Sequence, residues 1–379
     1  MGQDLLPDTV VLSTIFPNAK PSSIDVLANN WDTCTLKVHF ETAPSPTLPF
    51  DLIVRMETSK GVLEAVSAMQ NMARLQIPDL IPKTYRFGKG STADGRGVEY
   101  TVTHFVPDAV TLESVWPSLD WLQQESLVDA IVEALKKVQQ SDKRGTNSPI
   151  QCYRGIGGPQ SGYAKDMRYF LMQFVAKHQT KTTSTSSIIE TSDGIIIKSA
   201  FPDLGEVVLS NEDLQALDND TVFCHNDMEP RNVLVRRITG DHGDDPQYEL
   251  AAIIDWEMSG SFPFAFETAI KDTVLGVSSL YFDWYASYKA KTRSLIPCSD
   301  TSTKLIKAVR LIVDSQRLQR KRNVGADFRK RWLQKEGLEL HEDENVGWIK
   351  ADGAKAWKFS KEANDGLQMQ ILTDFGFIS

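Results

Sequence analysis

Apolar and polar residues alternate along Cys34-Thr35-Leu36-Lys37-Val38-His39-Phe40, the period of a strand with one buried face. A turn over 28–33 leads into it, and the proline-rich stretch 42–49 reads as the hairpin loop that follows. Residues 50–56 read as the partner strand. The period then changes. Val62, Val66, Met69 and Ala73 recur at helical spacing, which predicts a helix from Ser59, a fair N-cap, to about Leu75. Ile77-Pro78 and Ile81-Pro82 stop it, because proline cannot continue a helix. Strands over 84–88 and 98–105 flank the turn Asp94-Gly95-Arg96-Gly97 and complete a small antiparallel sheet. Residues 1–20 read as a leader or a short first helix.

From Asp120 the pattern is mainly helical. Leu122, Leu127, Ile131, Ala134, Leu135 and Val138 form a core-facing stripe on a helix over 121–140. Residues 141–164 are rich in turn formers, and 165–177 read as a further helix. Residues 181–200 start with Thr and Ser and reach Gly194-Ile195-Ile196-Ile197, an insertion carrying a loop and a short strand. Val233-Leu234-Val235 and Ala251-Ala252-Ile253-Ile254 read as two paired strands across a turn-rich loop at 239–246. Helices are expected near 264–280, 303–323 and 326–336, before an aromatic-containing tail.

Composition narrows the class. With 379 residues the chain has room for two packed lobes. Hydrophobic residues at 41% and charged residues at 24% are ordinary for a soluble globular protein. There is no run of eighteen apolar residues, so no membrane span is expected. Met1 to Asp8 lack the basic region and apolar core of a signal peptide, and Leu6 does not suit myristoylation at Gly2. A cytoplasmic protein with reduced thiols fits Cys34, Cys152, Cys224 and Cys298, which are far apart and form no C-x-x-C pair. A net charge of −9 argues against nucleic acid as the main partner. The basic run Arg317-Leu318-Gln319-Arg320-Lys321-Arg322, extended by Arg329-Lys330-Arg331, reads as a solvated helix face.

The chemistry concentrates around the strand pair. His225, Asp227 and Asn232 have the form H-x-D-x-x-x-x-N and run into its first strand; its second strand ends in Asp255-Trp256-Glu257. Such a loop and hairpin suit phosphoryl transfer. One carboxylate accepts the proton of an attacking hydroxyl, while a carboxamide and a second carboxylate hold Mg²⁺ against nucleotide phosphates. The plain alternative is a solvated polar loop between two core strands.

These motifs resemble the aminoglycoside phosphotransferase and choline kinase family. Gly260-Ser261-Phe262-Pro263 and Glu267 look most like its large fungal branch. The resemblance spans roughly residues 25–290. It implies an α+β, two-lobed protein-kinase-like fold. A nucleotide-binding lobe over 1–103 would hold a small antiparallel sheet and one helix; a larger, mainly helical catalytic and substrate lobe over 104–379 would carry the catalytic hairpin. It also implies an ATP- and Mg²⁺-dependent transferase acting on a hydroxyl of a small molecule. Asp227 would be the catalytic base, His225 a buried organiser of its loop, and Asn232 and Asp255 the metal ligands. Glu257 would brace the metal loop, and Glu267 would cap a following helix or meet the basic cluster.

The nucleotide lobe departs from the family pattern. Relatives carry a strand Lys that grips the α/β-phosphates and pairs with a helix Glu. Here the strand delivers Arg55, and Glu64 followed by the amphipathic helix and Ile77-Pro78 matches the Glu pattern. Arg binds phosphate and carboxylate bidentately, so it suits the grip; an ordinary strand-end Arg paired with a surface Glu is the alternative. Asn29-Asn30-Trp31-Asp32-Thr33 stands where relatives have a glycine- and serine-containing turn. Asn tolerates left-handed backbone, and Thr33 offers a hydroxyl to a looser phosphate loop. Residues 102–107 would form the hinge that meets adenine. His104 is there either a nucleotide contact or a partly exposed side chain without a role. Gly155-Ile156-Gly157-Gly158 reads as a turn rather than a dinucleotide site. Two rival functions keep the fold: acyl or aminoacyl transfer in secondary metabolism, favoured by the missing Lys and glycines, and a pseudokinase binding module. Intact Asp227, Asn232 and Asp255 disfavour both.

Overall fold

The computed structural model describes residues 4–58, 61–140, 155–179, 184–238, 246–319, 323–354 and 361–378. The chain opens with α1 (Thr9–Ile15), β1 (Ser23–Asn29), β2 (Thr33–His39), β3 (Asp51–Thr58) and α2 (Leu63–Gln76). β4 (Thr84–Ser91), β5 (Gly97–His104), β6 (Ala109–Thr111), α3 (Leu112–Val115) and α4 (Trp121–Gln139) follow. Then come β7 (Ile156–Gly158), β8 (Gly162–Ala164), α5 (Met167–Lys177), β9 (Ser186–Thr191), β10 (Gly194–Ser199), β11 (Glu206–Ser210), α6 (Asn211–Asn219) and β12 (Thr221–Cys224). β13 (Val233–Ile238), β14 (Gln247–Ile253), β15 (Gly260–Pro263), α7 (Phe264–Val274), α8 (Phe282–Thr292), α9 (Asp300–Gln319) and α10 (Val324–Glu336) lead to the tail: β16 (Leu338–Leu340), β17 (Trp348–Lys350) and α11 (Lys361–Asp374).

Two compact units form, Met1–Leu119 with Pro230–Ser259, and Asp120–Glu229 with Gly260–Ser379. The lobe boundary expected at 103/104 falls inside the first, which also takes in the β13–β14 hairpin. Its main sheet has the order β1-β2-β3-β5-β4, with every neighbour antiparallel. Side chains two apart in a strand share a face. Leu36 and Val38 of β2 and Leu52, Val54 and Met56 of β3 therefore pack together, with Val11 and Ile15 of α1 in the same core. Residues 1–20 thus contribute a helix, capped by the Asp8 side chain, which accepts from the backbone N–H groups of Val10 and Val11. The opposite face of β3 presents Ile53, Arg55 and Glu57. The helix expected from Ser59 begins at Leu63, and Ser59 lies outside the described residues. Val62 provides no side-chain cap; instead Glu99 of β5, across the sheet from Glu57, accepts from the Leu63 N–H at 3.4 Å. A carboxylate there also suits the positive end of the helix dipole.

A second sheet in this unit, β14-β13-β6, contains the expected strand pair; the residues 239–245 that join it lie outside the described ones. β1 was not expected as a strand. All seven of its residues are exposed, so no buried face leaves a period to read.

The second unit is less purely helical than expected. Residues 186–210 form a three-stranded sheet, β11-β10-β9, where one short strand was anticipated. A further sheet, β12-β15-β7-β8, takes in the glycines expected to form a turn. Gly157 pairs with Ser261 there, and a Cβ on Gly157 would collide with the Gly162 carbonyl oxygen, so only glycine permits this approach. The main core gathers α5, β10, β11, α7 and α9 through Phe170, Ile195, Ile197, Leu209, Phe266 and Ile312. On α4 the stripe from Leu127 to Val138 is buried as the pattern predicts, but Leu122 is 69% exposed. The helix near 264–280 ends at Val274, and α8, α11 and the β16–β17 hairpin were not expected. Arg329, read as part of a solvated face, is buried and donates to the carbonyls of Leu275 and Asp272.

Candidate active site

The β13–β14 register places two of the candidate ligands side by side. Val233 pairs with Ile253 and Leu234 with Ala252. Asn232 and Ile254 flank this pair, and the Ile254 N–H donates to the Asn232 carbonyl at 2.9 Å. Asn232 is buried. Asp255 follows in left-handed backbone, φ 62° and ψ 62°, a conformation that Asp tolerates better than most residues. The turn is pinned behind it. Trp256 is fully buried, its Nε1–H donates to the Ile253 carbonyl at 3.1 Å, and the Ser259 hydroxyl donates to the Trp256 carbonyl.

Arg55 meets this turn from β3. Its Nη1 donates to Asp255 Oδ1 at 3.0 Å, its Nη2 to Glu257 Oε2 at 2.6 Å, and its Nε to Glu57 Oε1 at 2.8 Å. Burial works against the guanidinium charge, but Asp255, Glu57 and Glu257 outweigh it and hold its pKa above the ordinary value. Burial raises the Glu257 carboxyl, as does Asp255, with Arg55 acting against both. The pairing expected between Arg55 and Glu64 is replaced by these contacts. Glu64 is exposed in the first turn of α2, whereas Glu57, two residues along the same strand face, lies within direct reach. Glu57 was missed from the sequence, although its i+2 spacing from Arg55 marks it. Glu257 does brace the loop, through Arg55.

One cavity of about 480 Å³ in this unit is lined by Arg55, Asn232 and Asp255 together with His104, Phe105 and Val106. Leu27, Ile53, Val66, Leu234 and Ile254 supply apolar wall. His104 therefore faces the cavity; its Nδ1 lies 3.3 Å from the Tyr85 hydroxyl. Thr33 and Glu64 are not among the residues that line it. The β1–β2 turn is closed by the Asn30 side chain, whose Oδ1 accepts from the N–H groups of Asp32 and Thr33 at 2.8 Å each. Among the described residues, left-handed backbone outside glycine occurs at Asp108, Asn226 and Asp255, not at Asn29 or Asn30. The turn is thus held by a side-chain cap rather than by unusual backbone.

The donor set on the cavity wall is suited to Mg²⁺, which takes oxygen ligands and keeps part of its water shell. Asn232 and Asp255 offer a carboxamide and a carboxylate. Among the described residues no group of three or more His, Cys, Asp or Glu is arranged to hold a metal. A metal here would complete its shell with water and phosphate oxygens.

His225 and Asp227 belong to the second unit. His225 is fully buried, and its Nδ1 accepts from the Asp227 N–H at 3.2 Å. Asn226 between them is left-handed, φ 60°. The His225 N–H donates to Glu267 Oε2 at 3.0 Å, and the Tyr288 hydroxyl donates to Glu267 Oε1 at 2.7 Å. Glu267 thus braces this loop; among the described residues it neither caps a helix nor meets the basic cluster. Lys271, one turn further on α7, donates to the Met228 carbonyl at 2.6 Å and to Glu229 Oε1 at 2.7 Å. Cys224 is buried; burial pushes its thiol well up, and Glu267 adds to the shift. Lys271, Glu229 and Tyr288 were missed from the sequence, since each acts through a partner distant along the chain.

The profile of a phosphotransferase enzyme family matches residues 36–270. The chain belongs to that family. As a member of the phosphotransferase enzyme family it is a transferase. No curated protein sequence matches it. Among solved structures, a thermostable mutant of aminoglycoside phosphotransferase APH(4)-Ia, in apo form, aligns with a TM-score of 0.50 at 13% identity, covering 96% of this chain and 98% of that one. The phosphotransferase thus has the kinase-like α+β fold. The GDP complex of wild-type aminoglycoside 2'-phosphotransferase-IIIa aligns at 0.44 with 10% identity, covering 96% and 97% of the two chains. Macrolide 2'-phosphotransferase MphH from Brachybacterium faecium aligns at 0.40 with 12% identity, covering 85% and 95%. Among the described residues, no helix of this phosphotransferase is long and apolar enough to cross a membrane.

Proposed function

We propose that this phosphotransferase uses ATP and Mg²⁺ to phosphorylate a hydroxyl of a small metabolite in the cytoplasm. The observation that carries the reading is the cavity on which Arg55, Asn232 and Asp255 converge among apolar walls. Apolar wall and the end of β5 suit a purine ring; the three polar side chains suit its phosphates. Residues 1–103 would act as the nucleotide lobe and 104–379 as the catalytic and substrate lobe, in a functional division.

Asp227 accepts the proton of the acceptor hydroxyl as that oxygen bonds to the γ-phosphorus. The bond from γ-phosphorus to the bridging oxygen breaks, and ADP leaves. His225 keeps the Asp227 backbone in place. Arg55 offers a planar, bidentate donor to the α/β-phosphates. Asn232 and Asp255 would hold Mg²⁺, which would supply positive charge against the phosphate oxygens. Glu57 and Glu257 orient Arg55, the task first expected of Glu64. The net charge of −9 favours cationic acceptors by steering, which puts amines bearing hydroxyls first among candidates.

Thermal unfolding with and without Mg²⁺-ATP tests the reading in wild type and Asp255→Asn. Ligand at a hundred times its dissociation constant adds about 2.7 kcal/mol. A metal-dependent rise in wild type, absent from the variant, is expected. With an acceptor found by screening, Asp227→Asn should lower kcat by about 10²–10⁴-fold. No shift at millimolar nucleotide would sink ATP as donor and move the search to acyl or aminoacyl transfer, or to a binding role.

A further inference from the structure

Arg55 and Asp255 hold each other through the atoms that a nucleotide complex would need. Asp255 Oδ1 is the acceptor of Arg55 Nη1, while Nη2 and Nε of the same guanidinium are taken by Glu257 and Glu57. All three nitrogens donate to carboxylates, so a phosphate must compete with those carboxylates for the guanidinium. Equally, a metal at Asp255 must compete with the Arg55 cation already bonded to Oδ1. The side chains of Arg55, Asp255 and Glu257 stay 27%, 27% and 29% exposed, so solutes reach them; Glu57 at 6% is closed off behind. One guanidinium here bridges three carboxylates, and its fork grips Asp255 and Glu257 together in a way that a single ammonium does not match. The left-handed backbone at Asp255 and the buried Trp256 fix where that carboxylate stands.

We propose that Arg55 is a resident counter-cation on Asp255 that excludes divalent metal until nucleotide phosphate draws the guanidinium away. This deepens the metal role proposed above for Asp255. Metal competes with Arg55 for the carboxylate, and phosphate competes with the carboxylate for Arg55. One exchange relieves both competitions. Metal and nucleotide therefore bind cooperatively, and metal alone binds poorly. Arg55 is here a positioning and gating residue, distinct from its role as a phosphate grip.

The test uses Mn²⁺ alone as probe, titrated by electron paramagnetic resonance into wild type, Arg55→Lys and Arg55→Gln without nucleotide. Both variants should bind Mn²⁺ about tenfold more tightly than wild type, within the ordinary range of coupling between two ligands. Adding Asp255→Asn to Arg55→Lys should remove the gain. In wild type, which needs no variant to fold, millimolar Mn²⁺ alone should leave the unfolding midpoint unmoved. Unchanged Mn²⁺ affinity in the variants, or a wild-type rise with Mn²⁺ alone equal to that with Mn²⁺-ATP, would overturn the proposal. The two readings separate cleanly. A wild-type response to Mg²⁺-ATP with no gain in the Arg55 variants defeats the gate alone. A gain in the variants with no response to Mg²⁺-ATP defeats the ATP reading and leaves the competition at Asp255 standing.

Discussion

Glu267 accepts a hydrogen bond from the backbone N–H of His225 at 3.0 Å, 42 residues away along the chain. Its other oxygen takes the Tyr288 hydroxyl at 2.7 Å, and the carboxylate is only 3% exposed. Glu267→Ala leaves a buried N–H and a buried O–H without this acceptor, each costing about 1–3 kcal/mol. The variant should lose about 2–6 kcal/mol in urea unfolding, and Glu267→Gln, which keeps one acceptor, should lose less. A loss below about 0.5 kcal/mol, the scale of ordinary surface changes, would mean that the loop does not lean on this carboxylate.

Lys271 and Glu229 form an ion pair at 2.7 Å with the two side chains 4% and 1% exposed. Breaking such a pair from one side strands a buried charge. Lys271→Met should destabilise by about 3–5 kcal/mol, and Lys271→Met with Glu229→Gln should recover part of that loss. A double-mutant cycle by chemical denaturation measures the coupling; purely additive effects would show that the pair is not a unit.

Asp213 closes a capping box with Ser210 at the start of α6 and meets Thr301 and Lys304 of α9. Burial alone would raise its carboxyl, but hydrogen bonds from Thr301, Ser210 and Lys304 win and lower it from 3.8 to about 2. A depressed folded pKa means stability that is complete above the unfolded value and lost as pH falls. Between about pH 4 and pH 2 this group should withdraw about 2 kcal/mol. Asp213→Asn should flatten the stability profile in that window. Parallel profiles for the two proteins would refute the assignment.

Cys34 and Cys224 are buried, and burial raises both thiols above their ordinary range; Cys298 is exposed. Since thiolate is the reactive form, iodoacetamide on the native protein should label Cys298 well before these two, which should react only on unfolding. Peptide mass spectrometry over a time course decides it. Early labelling of Cys224 would show that its thiol is reached and ionised in the folded protein.

What the sequence determined by itself was local. Period-two alternation marked β2, helical spacing marked α2 and α4, and short fixed spacings marked His225, Asp227, Asn232 and Asp255. Each signal lies within a few residues of chain, where backbone geometry ties position to side-chain direction. β1 escaped because exposure of every residue erases the period. The sheet β11-β10-β9 was read as one strand, since its partners are known only once they pair. The site shows the same division. Asp255 was legible as a carboxylate at a strand end, but its bond to Arg55 spans 200 residues, and the bond from Arg55 to Glu257 spans 202. Glu64 looked the better partner because the resemblance places a helix Glu there. Only the tertiary structure chose Asp255 and Glu257, because strand register and the pinned turn at Trp256 fix which charges meet, and neither is encoded in the spacing of nearby residues.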